Sequence, residues 1–116
     1  MKLITRNHYL NKLMDVKNTP DIKVITGVRR SGKSKLMDAF IDILEKEENA
    51  NVIRIKLNLK EFEKLKDKEE LYKYVQDHYK KEYTNYLLVD EIQLCKDFEV
   101  IINSLHEEEK FDIYLT

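Results

Sequence analysis

The apolar residues of this chain fall into two rhythms, short β-branched runs and longer stripes at helical spacing. Ile22-Lys23-Val24-Ile25-Thr26 is β-branched at most positions and predicts a short strand. Leu36, Met37, Phe40, Ile41 and Leu44 recur at helical spacing and predict a helix running to about Glu47. Glu48-Asn49-Ala50-Asn51 breaks that pattern. Val52 to Asn58 then alternates apolar and polar, predicting a strand with one partly exposed face and an outer place in a sheet. Residues 59–68 are dense in Lys and Glu without clean periodicity, which fits a short helical turn or a loop. From Glu69 to about Lys80, Leu71, Val75 and either His78 or Tyr79 form the stripe of an amphipathic helix. Tyr86-Leu87-Leu88-Val89 is the most apolar short run and reads as a central strand covered on both faces. Phe98, Ile101, Ile102 and Leu105 mark the buried face of a helix from about Asp97 to Glu107, and Phe111 to Thr116 is the final strand. At the start, Asn7 is a candidate cap for a short helix with Tyr9, Leu10, Leu13 and Met14 on one face, and Asn18-Thr19-Pro20-Asp21 is a turn.

Between the first strand and the long helix lies Gly27-Val28-Arg29-Arg30-Ser31-Gly32-Lys33-Ser34, which fits G-x-x-x-x-G-K-[ST] at every fixed position. Strand, glycine loop, helix is the order that phosphate binding needs. Gly27 and Gly32 lack a Cβ, so the backbone can turn sharply and approach a phosphate closely. The amides from about Val28 to Ser34, followed by Lys35 in the helix, then line an anion-binding concavity at the positive end of the helix dipole. Lys33 would set its charge against the β- and γ-phosphates, and the Ser34 hydroxyl would reach a magnesium ion. The chain has two glycines, and both occupy positions this loop requires. The plain alternative is an ordinary helix-start turn that happens to carry a lysine.

The second chemical feature is Asp90-Glu91, delivered to the carboxyl end of the apolar Tyr86–Val89 strand about 55 residues downstream. An acid in that place holds Mg²⁺, directly or through water, as Asp90 would here. Glu91, one residue further, would lie near the γ-phosphate, where a carboxylate orients and polarises the attacking water. Acidic loops after strands are common, so the pair gains its meaning from the glycine loop.

Size and charge set the frame. At 116 residues the chain suffices for one modest domain, 42% apolar, with 37% charged residues and a net charge of −1. That balance exerts no global pull on nucleic acid or an anionic membrane, although it leaves a local basic patch open. One cysteine, Cys95, rules out an internal disulfide and suits a reducing compartment, and no apolar run has membrane-helix length, so the expectation is a cytoplasmic protein. The tyrosines around Tyr72, Tyr74, Tyr79, Tyr83 and Tyr86 could form a stacking platform for single-stranded nucleic acid, but packing at a helix–sheet boundary is the commoner use. His78 has no second ligand at metal spacing, and Arg6 reads as a surface residue with an outside prospect of reaching a base or ribose.

Val24–Ser34, Leu88-Val89-Asp90-Glu91-Ile92-Gln93 and Phe111–Thr116 together resemble the N-terminal ATPase domain of prokaryotic AAA-like ATPases, whose members commonly continue into a C-terminal domain of unknown function. The resemblance covers nearly the whole chain, 1–116 being read as the N-terminal part of one such domain. It implies an α/β three-layer sandwich with a mainly parallel sheet, of the additional-strand catalytic-glutamate P-loop type, in which the final strand inserts between the loop strand and the Asp90 strand. It implies ATP and Mg²⁺ as ligands, with Lys33 and Ser34 in the Walker-A roles and Asp90 and Glu91 in the Walker-B roles. Family members follow the final Thr with a Gly-Ser-Asn stretch that supplies the sensor. On this reading the chain stops after the fourth core strand, and an unprotected sheet edge is expected to promote self-association. Arg29 and Arg30, inside the loop, are read as facing solvent or a neighbouring domain.

The leading expectation is therefore Mg²⁺-dependent ATP hydrolysis, the coupled process being unspecified. Two other readings compete: a nucleotide-binding module without turnover, and a small-molecule kinase, against which it counts that no arginine lies beyond Arg54.

Overall fold

The computed structural model describes residues 2–4, 9–25 and 30–116, with side chains placed for 10–25 and 35–116. Its elements in chain order are β1 (Lys2–Ile4), α1 (Tyr9–Val16), β2 (Lys23–Ile25), α2 (Arg30–Glu45), β3 (Ala50–Lys56), a 3₁₀ stretch (Lys60–Lys66), α3 (Lys68–His78), β4 (Thr84–Asp90), a 3₁₀ turn (Ile92–Leu94), α4 (Phe98–Glu107) and β5 (Phe111–Leu115). The five strands form one parallel sheet in the order β1-β2-β5-β4-β3. β5 therefore lies between β2 and β4, as the family resemblance implies, and the alternating strand β3 is at the outside.

Alternation along the strands sorts the core into two layers. On one face, Ile53, Ile55 and Leu57 of the β3 region and Leu87 and Val89 of β4 pack with Leu71 and Val75 of α3 and Ile101, Ile102 and Leu105 of α4. On the other, Tyr86 and Leu88 of β4 and Tyr114 of β5 pack with Leu13 of α1 and Met37, Phe40 and Leu44 of α2. Helices thus cover both faces, giving the α/β three-layer sandwich. All four residues Tyr86, Leu87, Leu88 and Val89 are 0% exposed, as their uninterrupted apolar run requires.

Several local expectations need correction. β1 adds a strand ahead of the first helix, so the described sheet has five strands and not four. Three residues carry no readable period, and pairing with β2 rather than propensity makes Lys2–Ile4 a strand. Leu13 is buried as expected, but Met14 is exposed and Val16 is buried in its place. The Lys-rich stretch 60–66 agrees with the helical-turn alternative, being a 3₁₀ helix with Leu65 buried. The α3 stripe ends at Val75. His78 is exposed, its ring stacked on Tyr74 and hydrogen-bonded to the Tyr74 carbonyl. Asp67 caps α3, accepting from the Glu70 amide at 3.1 Å. The tyrosines are dispersed: Tyr72 donates to Glu108, Tyr74 meets Phe62 edge-on, Tyr79 meets Phe111 edge-on, and Tyr86 is buried. They form packing contacts and not a common platform. Asn7 and Arg6 lie outside the described residues.

The amino-terminal end of the sheet carries a charged network that no local pattern announces. Lys23, fully buried, pairs with Asp112 and donates to the Thr19 carbonyl at 2.6 Å. The second carboxylate oxygen of Asp112 accepts from the Asn18 amide and the Tyr114 hydroxyl, each at 2.8 Å. Beside it, Tyr86 donates to Glu47 at 2.5 Å and accepts from Asn18 at 3.3 Å, while Lys17 pairs with Glu47. Burial, with the neighbouring carboxylates, pushes the Tyr86 and Tyr114 hydroxyls far above the usual tyrosine range. Burial works against the charge on Glu47, but the bonds from Lys17 and Tyr86 outweigh it and hold its carboxyl below the ordinary range.

Breaking such a pair from one side leaves an uncompensated buried charge. Asp112→Ala is expected to destabilise the fold by about 3–5 kcal/mol, read as a lowered urea midpoint at constant slope.

Candidate functional site

In a parallel sheet every strand points the same way, so the carboxyl ends of β2, β5, β4 and β3 open at one edge. The registers set Val24, Leu115, Val89 and Ile55 in one row across these strands. The residues that follow are Ile25, Thr116, Asp90 and Lys56. The end of β2, where the glycine loop begins, is thus two strand spacings from Asp90, about 10 Å. Two motifs about 55 residues apart in sequence meet at a single edge.

Even-numbered residues of β4 face α2, since Tyr86 and Leu88 pack with Met37 and Phe40, and Asp90 shares that parity. The side chains bear this out. Arg54 of β3 pairs with Asp38 of α2 through Nη1 and with Asp90 through Nη2, the latter at 3.1 Å. Asp38 is one helical turn after Ser34, on the same stripe of α2. Asp90 is therefore tied, through Arg54, to the third turn of α2, the helix whose first residues belong to the glycine motif. Both Asp90 and Arg54 are largely buried, 14% and 16% exposed, whereas Asp38 is 61% exposed. Asp90 Oδ1 and Arg54 Nε are buried and have no hydrogen-bond partner among the described residues.

After Asp90 the chain turns sharply. Glu91 takes the left-handed conformation, φ 58° and ψ 48°, at a cost of roughly 1–2 kcal/mol for a residue with a Cβ. The turn is fixed by β5: the Glu91 amide donates to Thr116 Oγ1 at 3.3 Å, the Ile92 amide to the Thr116 carbonyl at 3.1 Å, and the Thr116 amide to the Val89 carbonyl at 3.0 Å. Gln93 donates to the Glu91 carboxylate. Thr116, the residue that follows β5, is thus in direct contact with the backbone of the acid pair.

The remaining predicted site residues divide into two groups. Gly27, Val28 and Arg29 lie outside the described residues. Arg30, Ser31, Gly32, Lys33 and Ser34 form the opening turns of α2 by their backbone, and Lys35 is exposed on that helix. Arg54 and Asp38 are the members that the sequence did not single out. Arg54 occupies a polar position of an alternating strand, a pattern that fits a solvated face equally well, and its sole signal was the charge opposite two acids.

Other features compete poorly as chemistry. A cavity of about 380 Å³, lined by Asn18, Pro20, Tyr83, His106 and Phe111 among others, lies at the amino-terminal ends of β4 and β5, opposite the acid pair. Cys95 is buried, and burial, aided by Asp67, Asp97 and Glu99, pushes its thiol up and away from reactivity. No group of three or more His, Cys, Asp or Glu suited to a metal occurs among the described residues. Magnesium does not need one, since it commonly takes one or two protein oxygens and completes its shell with phosphate and water.

A parallel sheet with β5 inserted, a glycine motif that follows β2 and runs into α2 rather than ending before it, and an acid-ended β4 define an α/β domain of the P-loop nucleotide-binding type. The chain belongs to the family described as AAA domain, which it matches over residues 19–116. It is also 36% identical over 117 residues to an uncharacterized protein of Haemophilus influenzae, covering 98% of this chain. The chain spans 29% of that relative's length. No solved structure matches it. Among the described residues no helix is long and apolar enough to cross a membrane.

Thr116→Val removes the hydroxyl that accepts from Glu91 while keeping the backbone bonds. It is expected to cost about 0.5–1.5 kcal/mol of stability, measurable by urea unfolding.

Proposed function

We propose that this domain binds ATP with magnesium and hydrolyses it in the protein that carries it. The observation that carries this reading is the link Asp38–Arg54–Asp90, which brings the acid at the end of the buried strand against the helix that the glycine loop opens.

In this reading the amides of Gly27, Val28, Arg29, Arg30, Ser31, Gly32, Lys33, Ser34 and Lys35 cradle the phosphates, and Lys33 sets its charge against the β- and γ-oxygens. The unpartnered Asp90 Oδ1 fits a metal-facing oxygen, and Ser34 supplies the second protein oxygen. Asp90 and Ser34 would hold magnesium, which would neutralise phosphate charge at this edge. Glu91 orients the attacking water and polarises its O–H. The new bond forms between water oxygen and the γ-phosphorus as the bond to the β,γ-bridging oxygen breaks, giving ADP and phosphate. The turn held by Thr116 fixes where Glu91 begins its reach. The Asp90 and Glu91 roles differ in kind, one electrostatic and one directional, so their losses have different signatures.

Lys33→Ala is expected to abolish ATP binding in a calorimetric titration, and unchanged affinity would overturn the loop assignment. Glu91→Gln is expected to keep ATP binding while turnover falls by about 10²-fold or more. Phosphate release at the parental rate would move the water-orienting role elsewhere.

A further inference from the structure

Arg54 has no chemical task in the roles just assigned, yet it pairs with two acids at this edge of the sheet. Its guanidinium is shared between two carboxylates in unlike surroundings, Asp38 at 61% exposure and Asp90 at 14%. An arginine suits that geometry, because its planar fork offers each acid a separate nitrogen in a fixed plane, Nη1 to Asp38 and Nη2 to Asp90. Arg54 Nε and Asp90 Oδ1 are also both buried without a hydrogen-bond partner among the described residues. Without a cation beside it, Asp90 would be an occluded anion close to where phosphates are proposed to bind. Arg54 supplies that cation. A magnesium ion on the same carboxylate would face the guanidinium at short range, and two cations on one acid repel strongly in a partly buried setting.

We propose that Arg54 is the metal-free counter-ion of Asp90, a positioning residue that neutralises this carboxylate and holds it beside α2 until magnesium arrives with nucleotide. The inference rests on the ATP–magnesium reading of the site. Asp38 is the other half of the device. Solvated and already bonded to Arg54, it retains the guanidinium as Asp90 turns to the metal. The pair sets how much magnesium the site needs, and it lets nucleotide approach without meeting a bare Asp90.

The sign of the effect separates this role from simple scaffolding. If Arg54 competes with magnesium, removing it eases metal binding; if it only props Asp90 in place, removing it makes metal binding harder. The test titrates magnesium into the intact protein with a fluorescent, non-hydrolysable ATP analogue, starting from EDTA and reading anisotropy. Arg54→Met is expected to lower the half-saturating magnesium concentration about threefold to tenfold, and to weaken analogue binding in EDTA. Arg54→Lys, which keeps the charge, restores the affinity in EDTA. Asp38→Asn is expected to shift the magnesium midpoint upward, because Arg54 then rests wholly on Asp90. An unchanged or raised midpoint in Arg54→Met overturns the proposal. Should thermal melting show that this variant does not fold, the exposed Asp38→Asn decides, and a midpoint that is unchanged or lowered overturns it. If the parent protein binds the analogue without any response to magnesium, the ATP–magnesium reading itself falls. A magnesium response in the parent with unshifted midpoints in both variants removes only the role of Arg54.

Discussion

The structure depends on the burial of the middle of β4, Asn85 to Val89, on both faces. A strand whose consecutive side chains Tyr86 to Val89 are all shielded from water cannot sit at the surface of a two-layer fold. It needs helices on each side, and parallel crossovers supply them: α1 and α2 on one face, α3 and α4 on the other. Once that strand is central, its carboxyl end is the place where the chain must emerge from the core. The first residues to emerge are Asp90 and Glu91. The acid pair is therefore a consequence of core packing as much as of chemistry, since burial of the strand fixes where its last residues come out.

The parts legible in the sequence are those governed by local periodicity or by a fixed motif. The stripe Met37, Phe40, Leu44 and the stripe Ile101, Ile102, Leu105 each specify a helix and its buried face without outside information. The run Tyr86–Val89 specifies a central strand in the same way. The insertion of β5 between β2 and β4 could not be read from any periodicity and came through the family resemblance.

What was illegible depends on contacts far along the chain. Lys23 looks like the polar position of an ordinary strand, and its full burial makes sense only with Asp112, 89 residues later. Arg54 likewise reads as a solvated position of an alternating strand until Asp38 and Asp90 are placed on either side of it. β1 is too short to carry a signal, and it is defined by register with β2. Met14 and Val16 show the limit of helical stripes over a single short helix, where a shift of two residues decides which side chain goes in. In each case the missing information was a partner, and no window of neighbouring residues contains it.

The ion pair of Lys23 and Asp112 has a mechanical corollary. It fastens the neighbouring strands β2 and β5 at their amino-terminal ends, and sliding one along the other would strip a shielded ammonium of its carboxylate. The glycine loop leaves from the opposite end of β2, and Thr116 follows the opposite end of β5. Any rearrangement on ligand arrival must then pivot about that fastened end, with displacement growing toward the edge where the two motifs meet.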